Sequence, residues 1–292
     1  MTPPSVRTSA TARILQWTVL VVFAGGLVLG CQSSSDRIQG HLDGRITVRS
    51  SVDPSGDHSG FRVLVVEANG RDIDTLAHAT TRRDGHFSTS VSVPERGIYT
   101  LTVWGRRGRE RLATTDYVVA DGDSASLEAT FPLQGRALRV RSSENAALSA
   151  YRNTLAQHRR AVVERLQSAT YDSTALARRV RQTSSVLWSL QDTFPGTVAS
   201  QLAAVESLSL LAGWNDSLVV ARAKTVAPSN PRFVEVVKVG RRAVARLNGQ
   251  EAALVFLDSV ATRAQTNAQR AGVQAARVRA FIDSLQSEAA LA

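Results

Sequence analysis

The side chains able to do chemistry in this 292-residue chain are few: one cysteine, five histidines and two closely spaced aspartate pairs. Cys31 is the single thiol, so no disulfide, no CxxC redox pair and no thiolate zinc site can form within one copy. His41, His58, His78, His86 and His158 are scattered, and none belongs to an HExxH or another pair with metal-ligand spacing. Asp72 with Asp74, and Asp121 with Asp123, have the two-residue spacing found in calcium loops. Neither pair continues with the downstream ligands and carboxylate that such a loop needs, which makes them turn acids. There is no GxSxG, no phosphate-cradling glycine loop and no SxxK. These residues predict no enzyme activity, no catalytic residue, no metal site and no cofactor.

The position of Cys31 is more telling than its solitude. Residues 14–30 (ILQWTVLVVFAGGLVLG) carry no charge, Arg7 and Arg13 precede them, and the cysteine follows at once. A cationic start, an apolar middle and a small residue before the cut form the layout of a secretory signal, here residues 1–30. These seventeen uncharged residues could also be a short transmembrane anchor, although a spanning helix typically takes about 20. A thiol placed here is best explained as the attachment point for lipid, although an ordinary residue after a cleavable signal also fits. Each buried methylene adds about 0.8 kcal/mol to membrane association, and two chains make an anchor stable. Residues 31–36 then read as the lipidated cysteine and a polar tether, QSSSD.

Leu27-Val28-Leu29-Gly30-Cys31 resembles the lipobox of bacterial lipoproteins. The resemblance implies cleavage before Cys31, palmitate-type diacylation of its sulfur and acylation of its nitrogen. Gln32, a residue other than Asp, implies delivery to the outer membrane facing the periplasm, as in enteric-type bacteria. The expected location is therefore the cell envelope. Nucleic acid is not an expected partner of an exported chain.

Residues 37–134 read as a β-sandwich. β-Branched or alternating runs occur at 46–48, 61–67, 86–93, 99–105, 112–119 and 125–131. Between them lie turn signals at Asp43-Gly44, Pro54-Ser55-Gly56, Asn69-Gly70, Asp84-Gly85, Pro94 and Asp121-Gly122. Short strands at this interval suit a two-sheet sandwich of about 100 residues. Thr81-Arg82-Arg83-Asp84-Gly85-His86-Phe87 and the stretch from Pro94 through Gly97, Tyr99 and Leu101 to Val103 resemble the carboxypeptidase regulatory-like (transthyretin-like) domain. The resemblance implies that Gly85 supplies the positive φ of a hairpin turn. It also implies that Phe87 and Tyr99 are core aromatics flanking that hairpin, with no ligand role.

After a linker at 135–142 the apolar period becomes helical, and residues 143–292 read as an α-helical bundle. Ser143-Glu144-Asn145 starts a first helix, Asp172-Ser173 a second and Thr197 a third. Gly213-Trp214-Asn215-Asp216 turns the chain and caps a fourth, and Ser229-Asn230-Pro231 introduces a fifth that reaches Asn248-Gly249. Residues 250–289 contain no proline and space Ala253, Leu257, Val260, Ala264, Ala268, Ala271, Ala275, Val278, Ile282, Leu285 and Ala289 by four or three. This predicts one long last helix of about 60 Å with a heptad-like seam. The seam either packs on its own domain or makes a coiled-coil contact with another copy or a protein partner.

Charge divides the same two regions. Residues 37–134 hold 12 Arg against 13 Asp+Glu, whereas residues 135–292 hold 21 Lys+Arg against 11 Asp+Glu. The arginines group at Arg159-Arg160 with Arg165, at Arg178-Arg179 with Arg181, and at Arg241-Arg242 with Arg246. They form either a solvated helix surface or a site for lipid headgroups and anionic envelope polymers. The order of lipid cysteine, sandwich and helices, with Phe194-Pro195-Gly196-Thr197-Val198-Ala199, is similar to the front part of lipid-anchored thioredoxin-like proteins. Lacking a CxxC, this chain cannot carry their redox chemistry. The expectation is an α+β, two-domain, non-enzymatic cell-envelope lipoprotein that binds or scaffolds a partner. The alternative is an accessory or degenerate module of an envelope enzyme system. An enzyme should converge polar residues in a deep pocket; a scaffold should present an exposed apolar or basic strip.

Overall fold

Alternation is the first cause of the fold. The computed structural model describes residues 37–69, 72–133, 138–167 and 172–289. Cys31, the signal at 1–30 and the tether at 31–36 lie outside the described residues. In strand β1 (Ile38–Val48), Gly40, Leu42, Gly44 and Ile46 face inward while Gln39, His41, Asp43 and Arg45 face out. β2 (Arg62–Asn69), β3 (Asp72–Thr80), β4 (His86–Val93), β5 (Gly97–Trp104), β6 (Arg111–Val119), β7 (Ser124–Phe131) and the short β8 (Val140–Arg141) complete the β region. Two four-stranded sheets result, ordered β4-β1-β7-β8 and β3-β2-β5-β6, and among the described residues only β1–β7 is a parallel pair. Leu42, Ile46, Val91 and Leu127 from one sheet share a core with Val63, Val65, Leu101, Val103 and Tyr117 from the other. The region is thus sandwich-like, with its apolar faces turned inward.

Three details differ from expectation. Asp43-Gly44 is not a turn but the middle of β1, which begins at Ile38. Glycine is needed there for close approach, because a Cβ at Gly44 would lie 2.1 Å from the Leu127 carbonyl oxygen. β3 has no counterpart among the expected strands. It is an edge strand whose buried positions include only small Ala77 and Ala79, so its apolar signal is weak. Gly85 does take a positive φ of 84°, and Phe87 and Tyr99 are core residues. The turn is not a hairpin within one sheet, however. It carries the chain from β3 in one sheet to β4 in the other, so the two aromatics enter the core from opposite sides.

Six helices follow: α1 (Ser143–Gln167), α2 (Ser173–Thr193), α3 (Val198–Leu211), α4 (Asp216–Thr225), α5 (Phe233–Ala261) and α6 (Asn267–Ala289). Side-chain caps fix several starts, as the sequence suggests. Asp172 accepts from Thr174 N at 2.9 Å and Ala175 N at 3.0 Å, Thr197 from Ser200 N at 3.2 Å, and Asn215 from Leu218 N at 3.1 Å. The two regions meet where α1 begins. Glu144 accepts from Arg96 Nη2 at 3.0 Å and from Val198 N at 2.8 Å, placing its carboxylate at the N-terminus of α3. Asn145 accepts from Val118 N at 3.1 Å, and Val118 packs with Ala147, Leu148, Val198 and Ala199. Burial pushes the Glu144 carboxyl up, while the Val198 N–H and the Arg96 guanidinium pull it back.

The last helix is the main correction. Residues 250–289 are not one 60 Å rod. Gly249 (φ 84°, ψ 175°) interrupts α5, and the arm at 250–261 folds back along the arm at 233–248. The reversal is plain from Arg263, whose guanidinium lies 5.7 Å from the centre of the Phe233 ring. A straight helix would separate those two residues by about 45 Å. A second reversal at 262–266 precedes α6. Thr266 Oγ1 accepts from Gln269 N at 3.1 Å, and Gln269 Oε1 accepts from Thr266 N at 3.3 Å. This Thr-x-x-Gln capping box starts a new helix where the heptad spacing suggested continuity.

Candidate functional site

The expected chemical residues do not gather. His41 Nε2 contacts Ser88 Oγ at 3.2 Å, and His58 Nδ1 accepts from Val48 N at 3.2 Å. His158 is buried on α1 against Thr183 Oγ1 of α2, at 3.0 Å. Burial, with Arg179 nearby, holds its imidazole below the ordinary histidine range. His78 and His86 are exposed on β3 and β4. Asp74 is exposed on β3, and Asp121 and Asp123 sit between β6 and β7. Among the described residues no three His, Cys, Asp or Glu side chains come together as a metal ion would require. A cleft of about 850 Å³ between β6, β8 and α1 has polar walls, including Asp116, Arg141, Ser142, Asn145 and Arg152. Asp116 is paired with Arg152, Arg141 with Glu128, and Asn145 with Val118 N and Ser142. Asp116–Arg152 and Val118–Asn145 hold the junction together, and Arg141–Glu128 ties β8 to β7.

The arginine groups separate into two kinds. Antiparallel packing sets Leu155 and His158 of α1 beside Leu187 and Thr183 of α2. It thereby brings Arg159, Arg160 and Arg165 to the same end as Arg178, Arg179 and Arg181. In the third group Arg241 and Arg246 are structural, and Arg242 is exposed. Arg241 is buried and donates to Asp283 at 2.9 Å, and Arg246 grips Asp216 through Nε and Nη2, both at 2.7 Å. That bidentate pair holds the Asp216 carboxyl below its usual range.

The surface with an unusual composition is on α6. One side of this helix, formed by Val273, Ala276 and Ala280, is buried with Phe233, Val237, Phe256 and Leu257 of α5. The opposite side carries Ala271, Ala275, Val278, Ile282 and Leu285, spaced by four and three, with Phe281 beside them. These residues face outward, and Val278, Phe281 and Leu285 are each more than half exposed, at 60%, 57% and 52%. α6 is therefore apolar on two faces, whereas an ordinary surface helix has one. The seam read from the sequence is real in spacing but split in place. Ala253, Leu257 and Val260 point into the core, and after the 262–266 reversal its continuation points out. At 100° per residue, Arg270 and Arg277 flank the outward stripe on one side and Arg279 on the other. Arg277 pairs with Asp258 at 3.0 Å and Arg279 with Asp283 at 3.1 Å. Among the described residues no helix is long and apolar enough to cross a membrane.

No protein-family model matches the chain, and no curated protein sequence matches it. Among solved structures the chain is similar to the crystal structure of (S)-allantoin synthase, at 12% identity and a TM-score of 0.26. The match covers 47% of this chain and 62% of that one, and a score at this level carries no argument about fold or activity.

Proposed function

We propose that this protein is a non-enzymatic, lipid-anchored scaffold of the bacterial cell envelope, held at Cys31 and docking a helical protein partner on α6. The observation that carries the docking is the outward stripe of Ala271, Ala275, Val278, Phe281, Ile282 and Leu285 on a helix whose other face is already buried. The anchor rests on the charge-free run at 14–30 and the cysteine behind it. The transthyretin-like assignment of the β region rests on its two motifs and on the core positions of Phe87 and Tyr99.

Flanking charge selects the partner. A second copy would bring the same borders, in which Arg277 and Arg279 are already paired with Asp258 and Asp283 and Arg270 makes no ion pair among the described residues. A helix whose apolar stripe is bordered by carboxylates fits better. The arginine-rich end of α1–α2 adds affinity for phospholipid headgroups or acidic envelope polymers, a contribution that weakens with salt.

Photo-crosslinking in envelopes tests the docking. A crosslinking residue at position 281 should capture a distinct protein, and Val278→Asp with Ile282→Asp should abolish the capture. The same probe at Val186, exposed on α2, should capture nothing. Self-capture would replace the partner with a second copy, and no capture would remove the docking claim. Fatty-acid labelling that marks the wild type but not Cys31→Ser tests the anchor.

A further inference from the structure

The β5–β6 hairpin reads Gly105-Arg106-Arg107-Gly108-Arg109-Glu110-Arg111, four guanidiniums within six residues. Like charges this close repel one another, so the hairpin's composition needs a cause. Arg106 is tied down. It pairs with Asp53 at 2.7 Å, donates to the Asp57 carbonyl, and lies 5.4 Å over the Phe61 ring. Arg107, Arg109 and Arg111 form no ion pair among the described residues.

Beneath these arginines is a cavity of about 680 Å³, at the end of the sandwich where β1 finishes at Val48. Its floor is apolar. Phe61 and Phe131 stack at 6.1 Å, and Val52, Leu112 and Leu133 complete the wall. Val52 is 61% exposed, an apolar side chain left in the open at this mouth. The volume is that of a site for one small molecule. Its floor favours an alkyl or aromatic body, and its rim supplies planar donors that match a carboxylate or phosphate in pairs and outnumber the one carboxylate there, Glu110.

We propose that this cavity binds a single amphiphilic anion, a carboxylate or phosphate monoester carrying an alkyl or aromatic body. The head engages Arg107, Arg109 and Arg111, and the body lies against Val52, Leu112 and Leu133 above the Phe61–Phe131 stack. Arg106, spent on Asp53 and Phe61, shapes the wall. The site is independent of the α6 surface. It lies at the far end of β1 from Ile38, about 35 Å along the strand.

Calorimetric titration of the purified protein with decanoate below its micellar concentration tests this, with 1-decanol and acetate as controls. Decanoate should bind saturably at one per chain, and both controls should bind much more weakly. Arg107→Ala with Arg109→Ala should weaken binding by at least about tenfold, as should Val52→Asp, which sets a carboxylate against the anion. All three side chains are exposed, so circular dichroism should remain that of the wild type. Arg178→Ala with Arg181→Ala, remote on α2, should change nothing. The proposal is overturned if decanoate does not saturate, if 1-decanol or acetate binds equally well, or if the hairpin variant binds like the wild type. Binding seen only with phosphatidylglycerol vesicles would also overturn it, because the arginines would then be reading a surface.

Discussion

The β and helical regions dispose of their apolar side chains in opposite ways. In the sandwich, one continuous cluster from both sheets takes in nearly every large apolar residue. In the helical region the apolar residues fall into smaller clusters, several of them rich in alanine. Among the described residues, three large hydrophobics are left exposed in the β region and ten in the helical region, so the helices carry the surplus. Period explains the contrast. A strand has one inner face by alternation, and two facing sheets exhaust it. A helix presents its circumference, and α6 uses both sides of it. Surplus apolar surface of this kind is the basis of the proposed docking.

Several changes would break or sharpen that contrast. The largest effect is expected at the two cores: Leu101→Ala in the sandwich and Leu257→Ala in α5 should each cost about 2–5 kcal/mol in denaturant unfolding. Gly249→Ala should cost about 1–3 kcal/mol, because a φ of 84° with ψ 175° is almost exclusive to glycine. Nothing lies within 4 Å of the added Cβ, so backbone strain is the cause and Gly249→Asn should not rescue it by packing. Thr266→Ala should cost about 1 kcal/mol through loss of the α6 cap. His158 supplies a pH test. Its imidazole titrates below the ordinary histidine range when folded, so on acidification the unfolded chain takes up the proton first. Stability should therefore decline as pH falls through the ordinary histidine range, and His158→Gln should flatten that decline. Smallest of all, Val278→Ala should shift stability by less than about 0.5 kcal/mol while weakening partner capture by the probe at position 281. A cost like that of Leu257→Ala would mean that the outward face is core after all.

Much of this architecture is legible in the residues themselves. Asp172, Thr197 and Asn215 announce their helices because a cap is a local interaction between a side chain and the next turn. Most strands show because each turns one face into the core, which demands alternation. β3 does not show, since an edge strand with Ala77 and Ala79 inside needs little apolar side chain. Asp43-Gly44 misleads because Gly44 answers to a neighbouring strand rather than to its own backbone. The 250–289 seam is legible as spacing, yet spacing alone does not say which way a stripe faces. Thr266 and Gln269 held the missing signal, a capping box inside an apparently unbroken helix. The arginine hairpin escaped for another reason: net charge over 37–134 is nearly balanced, which hides a local excess.

β1 has a mechanical consequence. It is the strand nearest the N-terminal end of the described chain, yet it sits inside its sheet, bonded antiparallel to β4 on one side and parallel to β7 on the other. A pull on Ile38 along the strand axis loads both ladders in shear, so their bonds share the force instead of opening one by one. A domain entered through such a strand resists being unravelled from that end.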